Sequence, residues 1–280
     1  MTRLRSMATA RSLARRARAA ARTRQERRFR SRLRFEADAP ALLLSPHLDD
    51  AVLDCWALLT DESALRVVDV FAGVPAPGWV APWDAITGAR DSAERVRERL
   101  VEDELALRAA GRSAARLGFL DAQYRPAGTT PTLDRLDAAL ADWVRSASRI
   151  YAPAGIGGHA DHLVVRRYAC LLADRGIPVS LYAELPYCVR HGWPSWVNGR
   201  EPNPLRDVDA FWAEQLAGVS AMPPLRSARV VVLDREACAA KLAALRCYAT
   251  QMPALDFAAA GLLEHPATVG FEVSWQLRRR

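Results

Sequence analysis

The chain has 280 residues, half of them hydrophobic, a formal net charge of +7 and five cysteines, which is material for one large domain or two small ones. No apolar run reaches the roughly 18–20 residues that cross a bilayer, which argues against an integral helical membrane protein. The cysteines at 55, 170, 188, 238 and 247 are scattered, odd in number and free of C-x-x-C spacing. That argues against a disulfide framework or a thiolate metal site and fits a reducing cytoplasm.

The positive charge is concentrated at the start. Residues 1–34 carry many arginines and a single acid, Glu26, without the apolar h-region of a secretory signal. They read as an arginine-rich extension that is either a solvated tail or a contact for an anionic membrane surface; no specific nucleic acid is expected. From residue 35 the pattern alternates. ALLLS (41–45) reads as a strand and about 50–60 as a helix; RVVDVFA (66–72) is the next strand, followed by a long loop over 73–88. A helix over 89–110 closes at Gly111, and RLGFL (116–120) and a helix over 132–146 follow. RIYAP (149–153), a helix over 162–175 and PVSLYAE (178–184) form the next unit, then a second long loop over 185–204. The chain ends on a helix over 206–217, ARVVVLD (228–234), a helix over 235–250 and TVGFEVSW (268–275).

Such alternation predicts an α/β fold over 35–280: a doubly wound, mostly parallel, Rossmann-like sheet flanked by helices. Ligands bind such sheets beyond the carboxyl ends of the strands. Neither G-x-G-x-x-G after the first strand nor G-x-x-x-x-G-K-[ST] is present, so dinucleotide and P-loop chemistries lose their main support.

Two polar knots stand where such a site would lie. LLLSPHLDD places His47, Asp49 and Asp50 directly after the first strand, and GIGGHADH places His159, Asp161 and His162 after RIYAP. Either knot alone reads as the opening of a helix. Together, at strand ends that share one edge of a parallel sheet, two imidazoles and a carboxylate suit Zn²⁺ with a fourth position left for water.

PHLDD with GHADH resembles the two signature boxes of the PIG-L/LmbE-like zinc-dependent N-deacetylases, in their bacterial branch, over roughly residues 38–280. FAGVP (71–75), RLVEDELALRAAG (99–111), FLDAQYR (119–125), ELPY (184–187) and KLAALRCYATQ (241–251) occur in the expected order. Leu48 departs from the usual Pro at a position that supplies no ligand. The resemblance implies an LmbE-like fold and a zinc hydrolase that removes an N-acetyl group from an amino-sugar (N-acetylglucosamine-type) conjugate. The alternative is an amide hydrolase for a non-sugar or longer N-acyl substrate. By the same resemblance His47, Asp50 and His162 are the zinc ligands and Asp49 the general base. His159, protonated, stabilises the oxyanion, and Asp161 orients a histidine. Trp83, Arg90, Asp121, Tyr124 and Arg125 are candidates for holding the sugar. The expected location is the cytoplasm, with residues 1–34 as a peripheral membrane handle.

Overall fold

Leu42, Leu43 and Leu44 are fully buried in strand β1 (Ala41–Ser45), the middle of the molecule. An unbroken apolar run suits a strand covered on both faces. In the computed structural model, which describes residues 39–60, 64–258 and 261–278, β1 leads into helices α1 (Asp50–Asp54) and α2 (Trp56–Leu59). Then come β2 (Leu65–Asp69), α3 (Pro82–Ile86), α4 (Ser92–Ala109), β3 (Ala114–Arg116) and α5 (Leu133–Arg145). The next unit is β4 (Arg149–Pro153), α6 (Ala160–Asp174), β5 (Val179–Tyr182), α7 (Ser195–Asn198) and α8 (Val208–Leu216). β6 (Arg229–Val232), α9 (Arg235–Leu245), α10 (Met252–Ala258), α11 (Pro266–Val269) and β7 (Phe271–Gln276) complete the order. The arginine-rich segment 1–34, its boundary with the body and its expected membrane contact lie outside the described residues. Among the described residues no helix is long and apolar enough to cross a membrane.

The seven strands form one sheet in the order β3-β2-β1-β4-β5-β7-β6. The first five are parallel; β7 runs antiparallel to both β5 and β6. The mostly parallel α/β sheet expected from the pattern is therefore present. The chain winds outward from β1 to β3, then returns to lay β4 on the other side of β1, so the switch point lies between the carboxyl ends of β1 and β4. Both polar knots emerge there.

Several elements differ from the sequence expectation, among them the short helices α3 and α7 inside the stretches read as loops. The helix over 50–60 is broken at Cys55 (φ −132°, ψ 30°). The Glu272 carboxylate of β7 accepts the backbone N–H groups of Trp56 (2.7 Å) and Ala57 (3.0 Å), so the second piece begins on a borrowed cap. Lys241, fully buried, pairs with the same carboxylate at 2.9 Å. The third strand lies earlier, over Ala114–Arg116. The residues after it bond to the loop beyond β2 instead, with the Gly73 amide donating to the Phe119 carbonyl at 2.9 Å. A Cβ at Gly73 would come within 2.5 Å of the Gly118 carbonyl oxygen, so the two segments meet backbone to backbone. Finally, Thr268 and Val269 belong to α11 rather than to the last strand.

Candidate active site

The turn after β1 is shaped by Ser45, whose hydroxyl donates to the His47 carbonyl (2.6 Å) and accepts the Ala51 amide (3.0 Å). Asp50 opens α1, and one of its carboxylate oxygens accepts the His47 amide at 2.8 Å. Asp49 occupies the cap position but makes no side-chain capping bond. The capping explanation for this acid pair therefore fails at Asp49, whose carboxylate faces a cavity instead.

Three atoms converge at the switch point. His47 Nδ1, Asp50 Oδ2 and His162 Nε2 are separated by 3.4 Å (His47–Asp50), 3.3 Å (His162–Asp50) and 3.2 Å (His162–His47). A tetrahedral ion with bonds of about 2.0–2.1 Å has edges of about 3.3–3.4 Å. The triangle thus has the dimensions of one face of such a shell. Ligand-capable atoms of His159 also lie within 4.8 Å of His47 and His162. However, its Nδ1 already accepts the Asp161 amide (3.3 Å), capping α6.

The outer nitrogens of both triangle histidines rest on carboxylates. His47 Nε2 meets Asp161 at 3.1 Å, and His162 Nδ1 meets Glu184 at 3.3 Å. Such pairs fix the tautomer that leaves the inner nitrogen free to bind. Asp161 is itself fully buried, accepting the Ala122 amide (2.8 Å) and pairing with Arg125 at 2.6 Å. Burial works against its charge, but His47 and Arg125 outweigh it and hold the carboxyl at about 2.

Charge at the triangle follows the same balance. Burial would lower the pKa of His162, yet Asp50 and Glu184 prevail and push it up to about 9. For Asp50 the two imidazoles overcome burial and hold it well below the ordinary range. His159 goes the other way. Burial and the charges of His47 and His162 push it down to about 4, so it is neutral near pH 7. The protonated His159 expected from the sequence is not what this environment favours. With Nδ1 accepting, its proton sits on Nε2.

A metal held by His162 would bind by proton exchange. In the metal-free protein a ring with folded pKa about 9 against 6.5 unfolded adds stability that is fully present below pH 6.5 and is lost as pH rises towards 9. A metal must displace that proton, so apparent zinc affinity should climb across this window and level off above it. Calorimetric titration in buffers of different ionisation enthalpy would show the proton released; an affinity flat between pH 6.5 and 9 would contradict the assignment.

Around the triangle lies a cavity of about 220 Å³. Its lining includes the polar side chains of Asp49, Arg99, Asp121, Gln123, His159 and Gln251, the aromatic rings of Trp83 and Tyr187, and the apolar Leu53, Leu185, Pro186 and Leu255. Of the sugar-binding candidates, Trp83 and Asp121 reach the cavity. Tyr124 instead donates to Asp84 (2.8 Å), Arg125 supports Asp161 from behind, and Arg90 is exposed and outside the lining. Each is corrected by its partner or its exposure. Four residues were not assigned from sequence: Arg99, Glu184, Tyr187 and Gln251. Arg99, buried in α4, lies 3.8 Å from both Asp49 and Asp121. Burial raises the pKa of Asp49 and Arg99 opposes that rise. All four fall in stretches the family resemblance singled out, which was the available signal.

No family model matches the chain. A 2'-N-acetylparomamine deacetylase of Streptomyces fradiae is 32% identical over 161 residues, 52% of this chain and 57% of that protein. The chain thus spans little more than half the length of that relative. Among solved structures, the A40926 pseudoaglycone deacetylase Dbv21 superposes with TM-score 0.60 at 29% identity, over 86% of this chain and 98% of the other. The zinc-inhibited form of teicoplanin deacetylase Orf2 does so with TM-score 0.61 at 25% identity and the same coverage. The chain is a homologue of the LmbE/PIG-L-type de-N-acetylases. In this de-N-acetylase homologue the two boxes that carried the resemblance are the segments that build the His–Asp–His triangle, and the fold is the mostly parallel α/β sheet of its structural neighbours.

Proposed function

We propose that this chain is a zinc-dependent hydrolase that removes the N-acetyl group from an amino-sugar conjugate. One observation carries the reading: a ligand triangle of tetrahedral dimensions beside a carboxylate, Asp49, that is free of capping duty and faces the cavity. The relatives, named for 2'-N-acetylparomamine, A40926 pseudoaglycone and teicoplanin, supply the substrate class.

His47, Asp50 and His162 would hold the zinc, which when bound supplies a Lewis acid that lowers the pKa of water towards about 7 and polarises a carbonyl. Asp49 takes the proton of the attacking water as the amide carbon becomes tetrahedral. Arg99 opposes the rise that burial imposes on the pKa of that base. His159, neutral and with its Nδ1 tied to the Asp161 amide, donates from Nε2 to the carbonyl oxygen as negative charge grows there. A neutral imidazole is a poor proton source, so Asp49 returns its proton to the leaving amine. Acetate and a free amino sugar result. Trp83 offers an indole face to the sugar ring, with its N–H held by Gln251 at 2.9 Å, and Asp121 accepts from a hydroxyl.

The test is acetate release by zinc-loaded protein. Glycosides of N-acetylglucosamine and a 2'-N-acetylated aminoglycoside fragment should be hydrolysed, and simple N-acetyl amino acids should not. Leu53, Leu185, Pro186 and Leu255 give the lining an apolar share, so an N-octanoyl analogue belongs in the panel. Preference for it would favour a longer N-acyl substrate. Hydrolysis of acyl amino acids alone would overturn the amino-sugar reading.

A further inference from the structure

Tyr187 begins a short 3-10 turn (Tyr187–Val189) just after β5. Its ring lies against the backbone of Gly157. A Cβ at 157 would stand 2.6 Å from the tyrosine Cβ, 2.8 Å from Cγ and 2.9 Å from Cδ1. Gly157 also has φ +90°, so this position is kept bare by both conformation and space. From that seat the ring faces both site histidines, with centroids 5.6 Å from His162 and 6.3 Å from His159.

The hydroxyl of Tyr187 is used differently from those of four other tyrosines. Tyr124, Tyr168 and Tyr248 donate to Asp84, Asp137 and Asp103, and Tyr182 donates to the Leu44 carbonyl. Among the described residues the Tyr187 hydroxyl has no protein partner, and the side chain lines the same cavity as Asp49 and His159. Burial and the nearby carboxylates Asp50 and Asp49 push its pKa up, so it stays a donor wherever the site works. Its segment is tied down. Glu184 holds His162 and accepts the Ile156 amide (3.3 Å), and the Leu185 amide donates to Asp54 at 2.7 Å. Placement of the ring is thus tied to the ligand His162 through the residue three positions before it.

We propose that Tyr187 is a second hydrogen-bond donor to the scissile amide oxygen, acting with His159, and that glycine at 157 is the condition for its placement. This rests on the hydrolase reading above. A donor aimed at an oxygen that gains charge stabilises the transition state more than the bound substrate, so the effect belongs in kcat.

Tyr187→Phe should retain one zinc per chain and a KM within threefold of wild type, while kcat falls about 10²-fold, as for loss of one oxyanion donor. Affinity for a methylphosphonamidate analogue of the acetamide, a tetrahedral anion, should fall by a similar factor. Affinity for the free amine product should hold. Gly157→Ala should reproduce the kcat loss by displacing the ring, and should add little in the Tyr187→Phe background. A Tyr187→Phe kcat within threefold of wild type, a loss that tracks zinc content, or a full Gly157→Ala penalty without the hydroxyl would each overturn the proposal. Wild type that releases no acetate sinks the hydrolase reading. The phosphonamidate comparison still judges Tyr187, and failure of wild type to bind that anion overturns both.

Discussion

His162→Ala should give a folded protein that no longer holds stoichiometric zinc and releases no measurable acetate. The side chain is one of three corners spaced 3.2–3.4 Å apart and is buried at the start of α6, while the neighbouring His159 already has its Nδ1 on the Asp161 amide. On the proposed assignment its loss leaves two ligands of three, and takes one partner each from Asp50 and Glu184. Metal assistance is worth several kcal/mol of transition-state stabilisation, so the rate should drop by at least roughly 10³-fold. Elemental analysis after desalting and an acetate assay on the same sample would check this. Retention of one zinc per chain would show that the triangle is not the ligand set.

Asp49→Asn should separate chemistry from metal binding. The carboxylate lines the cavity next to the triangle, makes no helix cap and meets Arg99 at 3.8 Å. An amide of the same shape should leave zinc in place but cannot accept the water's proton, so kcat should fall roughly 10²–10⁴-fold. Asp50→Asn, one residue on, should instead weaken zinc, since that oxygen contacts both imidazoles. Burial raises the pKa of Asp49, so the acidic limb of kcat/KM in wild type should lie above the ordinary carboxylate value. That limb should vanish in the residual activity of Asp49→Asn. Parallel loss of metal and activity in both variants would show that the roles are not divided this way.

The centre of the site was legible because it depends on local patterns joined by one topological rule. ALLLS and RIYAP are strands at the expected residues, each leading at once into its polar knot, and β1 and β4 are hydrogen-bonded neighbours. Parallel neighbours deliver the turns at their carboxyl ends to one edge of the sheet, so convergence of His47, Asp50 and His162 is a consequence of strand order. The surroundings were less legible. Arg99 sits in ERVRERLVEDE, a charge-rich run with no local sign that this arginine is buried against Asp49 and Asp121. Trp83 and Arg90 share one loop and one composition, yet only Trp83 is turned inward, where Gln251 meets it from 168 residues away. The break at Cys55 has no local cause either, since its cap comes from Glu272.

That borrowed cap also orders events at the ribosome. Trp56 and Glu272 are separated by 216 residues, and β6 joins the sheet only through β7, which inserts between it and β5. While the chain emerges, β1 to β5 can assemble their parallel half, but α2, the piece after the break at Cys55, lacks its cap and β6 has no strand beside it. Vectorial synthesis therefore leaves α2 uncapped until β7 is released. A nascent chain halted before Phe271 would expose an unpaired strand and an uncapped helix together, making this the stage at which a chaperone has most to cover.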